Sequence, residues 1–159
     1  MLQKEVCLRK VQYDAEEVFR IGGFYCSEAI ISSIRKNIDP SMPHSLVAAG
    51  SGFPIGVGRS RCMCGAISGA IVALGYFFGR TAPGGDAKKC MELANELQES
   101  FRDNHKGVLC CHLYIKGMDI TKAEHKVQCV GFTGEMVFKT AAIIARELKL
   151  KVTYTHTYS

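Results

Sequence analysis

Eight cysteines in 159 residues are the side chains of this sequence with the most chemistry to offer. A secreted chain would spend them on disulfides. The N-terminal run Met1-Leu2-Gln3-Lys4-Glu5-Val6 has no apolar signal segment, so the chain reads as cytoplasmic. In a reducing compartment cysteines serve metals or thiol exchange more often than structural bridges. Four of them stand where elements begin or end. Cys64 sits where a glycine-rich loop turns into an apolar helix, a position at which the helix dipole and free N–H groups favour a thiolate. Cys26 follows Gly22-Gly23 at the start of another helix, Cys110 follows a loop through Gly107, and Cys129 falls at an expected break between helical segments. Gly65, beside Cys64, leaves room for a cluster or a second sulfur.

The remaining cysteines carry other expectations. Cys62 and Cys111 each neighbour one of the four, but adjacent side chains diverge in regular structure; they read as supporting or resolving thiols, or as extra ligands. Cys90 shares an apolar stripe with Leu93, Leu97 and Phe101 and reads as a small core hydrophobe. Cys7 reads as incidental.

Four gathered sulfurs allow three chemistries. They can ligate an iron–sulfur cluster, most simply [2Fe–2S], for electron transfer. They can cycle between dithiol and disulfide, with Cys64 as attacking thiolate and no bound cofactor. Or they can form a structural four-cysteine zinc site without redox activity, although the usual close ligand pairs are missing apart from Cys62 and Cys64. There is no Cys-x-x-Cys, no phosphate loop and no Gly-x-Ser-x-Gly. A cysteine hydrolase would need a partnered base. His112 lies near Cys110, whereas His44, His105 and His125 read as solvated loop residues. A plain interaction protein with incidental cysteines is the remaining alternative.

The elements that must position these residues are helical. Lys4 to Ile21 has Val11, Ala15, Val18 and Phe19 at helical spacing, and Gly22-Gly23 ends it. Cys26 to Asn37 follows, with Ala29, Ile30, Ile31 and Ile34 on its buried face; His44 to Ala49 is a short helix. Four glycines between Ala49 and Arg61 require special backbone conformations or close approach. Gly65 to Gly79 is apolar nearly all round and should be the central, buried helix, with Gly65 and Gly69 one turn apart to admit a close neighbour. Asp86 caps a helix reaching about Asp103. Thr121-Lys122-Ala123-Glu124 has the form of a capping box, opening a short helix to Cys129. Gly131 and Gly134 interrupt before a last helix from Glu135 to Lys149. The end, Val152 to Ser159, is a short strand or disordered. These segments predict an all-α, compact single domain over residues 1–159, with a core over about 4–149, a tail over 150–159, and about five helices around the apolar central one.

At 47% hydrophobic and 22% charged residues the chain can bury a core without staples. The net charge of +5 is scattered, with no basic run interleaved with aromatics, so nucleic acid is not an expected partner. The longest apolar stretch, Ala70 to Phe78, falls far short of a membrane helix. Expected partners are an unspecified redox protein and, through Tyr76-Phe77-Phe78, a second copy of the chain.

With these residues in order, the sequence resembles the C-GCAxxG-C-C family of small redox-active proteins. Cys64-Gly65-Ala66-Ile67-Ser68-Gly69 matches its centre, Tyr25-Cys26-Ser27-Glu28-Ala29 its first cysteine, Cys110 with His112-Leu113 and Gly117 its third, and Cys129 its fourth. The resemblance spans about Val18 to Leu148. It implies an all-helical fold and a redox role. A similar pattern in a domain of the split-Soret cytochromes, which carry an iron–sulfur cluster, raises the expectation of a cluster here. Cys62, Cys90 and Cys111 lie outside the pattern.

Overall fold

A period of four through Ile30, Ile34 and Ile38 places one apolar stripe along the chain after Tyr25, and the computed structural model, which describes residues 1–105, 119 and 121–155, has all three fully buried there. The elements in order are β1 (Glu5–Cys7), α1 (Leu8–Arg20), α2 (Cys26–Asn37), α3 (His44–Ala49), a 3-10 turn (Gly50–Gly52), α4 (Gly65–Phe78), α5 (Lys88–Asn104), α6 (Ala123–Glu147) and β2 (Lys151–Thr153). Among the described residues this is a compact helical fold of six helices with one two-stranded sheet.

α4 occupies the centre, packed against α2, α5 and α6. Its beginning is buried without interruption from Gly65 to Ala70, because every side chain there is small or apolar. The expectation of burial on all sides fails toward the other end. There Tyr76 is 37% exposed and its hydroxyl donates to Asp39 Oδ2 at 3.0 Å. Gly69 is the closest approach to α2: a Cβ there would stand 2.6 Å from both Cα and O of Ser27. Ser27 is itself buried, and its hydroxyl donates to the Gly50 carbonyl at 2.8 Å, locking the start of α2 to the turn after α3.

Three expectations are corrected. The N-terminal helix does not begin at Lys4: residues 5–7 form β1, which pairs in parallel with β2 in the register Glu5 to Lys151, Val6 to Val152 and Cys7 to Thr153. The helix from 123 does not break at Gly131 and Gly134. α6 runs unbroken for 25 residues; a Cβ on Gly134 would land inside the Glu16 carboxylate of α1, so that glycine serves the packing of α1 on α6, whereas a Cβ on Gly131 would meet nothing within 4 Å. Thr121 does not cap α6 either, since its N–H and hydroxyl both donate to Asp119 Oδ1. α5 starts at Lys88, and Asp86 Oδ1 accepts the Lys88 N–H at 2.8 Å. By length and composition α6 is also apolar enough to cross a membrane, a longer apolar element than the sequence suggests. Here its apolar face is packed against α1, α2 and α4, the use that a core helix makes of such a face.

Candidate redox site

Cys26 is the first residue of α2, held there by local geometry. Tyr25 N–H donates to Glu28 Oε2 at 3.0 Å, which fixes the first turn and aims residue 26 inward. Cys64 sits immediately before α4 in extended conformation and is 3% exposed. The chain reaches it through a tightly coiled loop in which Ile55, Gly56, Val57, Gly58, Arg59 and Arg61 all have positive φ. Gly56 is required there twice over, by its φ of 66° and because a Cβ would collide with the Cys62 backbone. Cys129 lies in the second turn of α6, inside a continuous helix and not at a break.

These three side chains line one cavity of about 730 Å3, walled by residues of α1, α2, α4, α6 and the 53–64 loop. Gly65 opens the floor: a Cβ there would stand 2.6 Å from Cys26 Sγ and 3.1 Å from the Phe53 carbonyl. Its expected service as room for a second sulfur is met by Cys26. Cys110 and Cys111, with His112, lie outside the described residues. Cys62 is exposed and absent from the cavity wall. Cys90 is half-buried on α5 at the edge of the Leu93, Leu97 and Phe101 stripe. Cys7 donates to the Thr155 carbonyl at 3.4 Å.

Electrostatics sets the protonation of the thiols. Burial pushes the Cys26 thiol well above its usual range, and the nearby sulfurs of Cys64 and Cys129 push it further; N–H donation from Ser27 and from its own backbone offsets only part. The pull of the helix start toward a Cys26 thiolate is therefore outweighed by desolvation. The Cys129 thiol is pushed up to about 12 by burial and then by Cys64. The three sulfurs thus sense one another across the cavity, and as anions they would repel.

His125 is not the solvated loop residue that the sequence suggests. It is helical, 8% exposed, and lines the cavity one turn before Cys129, with its Nδ1 and Nε2 at 3.8 and 3.9 Å from Cys129 Sγ. Burial, and then the charge of Arg61, lower its pKa against the opposing pull of Asp119. The signal is present in the sequence as His-x-x-x-Cys, the spacing that stacks two side chains on one helical face. His105 is likewise not solvated: it is paired with Glu135 at 2.6 Å and lies edge-on to Phe132. Among the described residues, no three His, Cys, Asp or Glu side chains already stand in an arrangement that could hold a metal ion.

Residues 24–143 match the family model described as "Putative redox-active protein (C_GCAxxG_C_C)". The chain belongs to the C_GCAxxG_C_C family. The matched span begins just before Cys26 and ends within α6, so it contains every residue of the cavity wall except Phe19, Gly22 and Gly23. No curated protein and no solved structure matches the chain.

Proposed function

We propose that this C_GCAxxG_C_C protein is an electron carrier whose centre is an iron–sulfur cluster held by Cys26, Cys64 and Cys129, with Cys110 as the fourth ligand on sequence grounds. The observation that carries this reading is the meeting of three sulfurs from three separate helix segments in one cavity. A disulfide uses two sulfurs. Three sulfurs, one buried and two half-buried, that would repel one another as anions suit a shared cationic core, which offsets both the desolvation and the repulsion. When bound, such a cluster supplies one-electron transfer. The chain's own contribution is to present the thiols from α2, α4 and α6, to keep Cys64 from solvent, and to wall the centre with Phe24, Ala66 and Phe132. Low polarity around thiolate sulfurs is one of the levers that set a cluster's potential.

The second reading is a dithiol–disulfide centre. It is favoured by the absence, among the described residues, of a ready-made metal arrangement and by the neutral thiols that burial enforces. A structural zinc site would use the same donors. The cysteines stay reduced only in a compartment such as the cytoplasm, which is where we place the protein.

Anaerobic purification separates these readings. The cluster reading expects coloured protein with about two iron and two sulfide per chain, both lost in Cys64→Ser. Colourless protein without iron, whose free thiol count falls by an even number on mild oxidation, sinks that reading in favour of the disulfide. Stoichiometric zinc and redox silence would sink both.

A further inference from the structure

The three sulfurs of the cavity do not meet equivalent backbone. Cys26 opens α2, and its Sγ accepts from the N–H groups of Ser27 and of its own residue. Cys64 stands immediately before α4, at the positive end of that helix. Cys129 lies inside α6, so its N–H is committed to the helical ladder, and its carbonyl accepts from the Thr133 hydroxyl at 2.8 Å. A thiolate at that point has no helix start to hold its charge.

What stands beside it is His125. The spacing of four puts the ring on the same face of α6, with Nδ1 at 3.8 Å and Nε2 at 3.9 Å from Cys129 Sγ. Either nitrogen can carry the proton of neutral imidazole, and both carry one in imidazolium, so an N–H is within reach of the sulfur in every protonation state. These distances are loose for a neutral thiol. Hydrogen bonds to a charged acceptor are shorter, so the contact tightens on a thiolate. His125 is only 8% exposed and lines the cavity together with Cys26, Cys64 and Cys129. An apolar side chain would fill such an inward position without the cost of burying an imidazole, so packing alone does not call for histidine.

We propose that His125 is a positioning residue that donates a hydrogen bond to Cys129 Sγ when that sulfur is a thiolate ligand, supplying from a side chain what the starts of α2 and α4 supply to Cys26 and Cys64. The donor strengthens metal binding by the shared thiolates and, by favouring the more negative reduced centre, raises its potential. The effect on potential rests on the function proposed above; the effect on metal binding needs only the gathered sulfurs.

The probe is cobalt(II), titrated without oxygen into reduced, metal-free protein and followed by sulfur-to-cobalt absorption. His125→Leu removes the donor and His125→Gln keeps an N–H; both replacements are good helix formers, so α6 is retained. His125→Leu should bind cobalt with the wild-type absorption pattern but about tenfold more weakly, and His125→Gln should lie within about threefold of wild type. In protein that carries iron and sulfide, the midpoint potential of His125→Leu should fall by about 59 mV, a tenfold shift of a one-electron equilibrium, with iron content unchanged. Equal cobalt affinity in wild type and His125→Leu overturns the proposal, as does a glutamine variant as weak as the leucine one or an unshifted potential in iron-loaded protein. A changed absorption pattern in His125→Leu also overturns it, because the ring would then be a ligand and not a donor. Wild-type protein that takes up no cobalt overturns it as well. Iron-free protein after anaerobic purification sinks the cluster reading alone and leaves the cobalt comparison to decide the role of His125.

Discussion

The sulfur of Cys26 fills the space that a side chain at residue 65 would claim, since a Cβ on Gly65 would stand only 2.6 Å from it. The first turn of α4 therefore has no side chain at that point because the first turn of α2 has a sulfur there. Gly69, one turn on, has the same relation to backbone: its absent Cβ would stand 2.6 Å from Ser27 Cα. The two glycines divide the labour, one making room for chemistry and the other for helix contact.

This division is measurable. Gly65→Ala should displace Cys26 Sγ, a side-chain atom free to rotate, at a stability cost of about 1 kcal/mol but with loss of the bound iron or of the redox-active thiol. Gly69→Ala presses on backbone that cannot rotate away. It should cost about 3 kcal/mol in urea denaturation while leaving the thiol count unchanged. Equal stability losses in the two variants would show that the distinction is wrong.

Gly134 gives the opposite outcome. Its alanine would meet the carboxylate end of Glu16, which can swing outward. That movement gives up the Gln12 Nε2 donation to Glu16 at 2.7 Å and an Arg20 ion pair at 3.7 Å, each about 0.5 kcal/mol. Replacing an interior helical glycine by alanine returns about 1 kcal/mol. The thermal midpoint of Gly134→Ala should be unchanged to within a few degrees; a large drop would mean that Glu16 is pinned where it lies.

The buried thiols predict an alkaline dependence in reduced, metal-free protein. Cys129 is raised to about 12 and Cys26 is raised further, so the folded state holds these protons more tightly than the unfolded chain, in which a thiol has a pKa of about 8.5. The stability they contribute is complete below about pH 8.5 and is lost as pH rises toward 12. Peptide mapping after iodoacetamide treatment at neutral pH should find exposed Cys62 labelled well before Cys26 or Cys129. Prompt labelling of Cys129 under those conditions would contradict the assigned environment.

Asp14 supplies the acid-side counterpart. Burial alone would raise its carboxyl, but donation from Lys10 at 2.7 Å, Asn37 at 2.8 Å and Lys36 at 3.1 Å holds it below the usual range. Its contribution is present above the unfolded carboxyl pKa, near about 3.9, and is lost as pH falls through the lowered folded value. Asp14→Asn should cost about 1 kcal/mol at neutral pH after discounting for solvent screening. In guanidinium melts the gap between variant and wild type should close near about pH 2.

Much of this is legible in the sequence because it rests on local pattern. The bounds of α2, the short α3, the apolar α4 and the close-packing use of Gly65 and Gly69 all follow from spacing and residue size. What escapes such a reading depends on contacts between distant segments. Gly134 looks like a breaker until Glu16, far earlier in the chain, is seen beside it; nothing in the structure explains Gly131. Residues 5–7 and 151–153 are too short to announce strands and acquire that identity only by pairing. His125 looks solvated when read as a lone loop residue; within α6 it lies one turn before Cys129 and lines the cavity.

The pairing of β1 with β2 has a mechanical consequence. α6 is a rod of 25 residues, about 37 Å from tip to tip. One end carries Cys129 in its second turn; the other runs through Leu150, whose N–H donates to Ala145 O at 2.9 Å, straight into the clasp with residues 5–7. The clasp ties the chain after α6 to the residues that lead into α1, so the two helices that pack most closely on each other are also joined at that end by strand pairing.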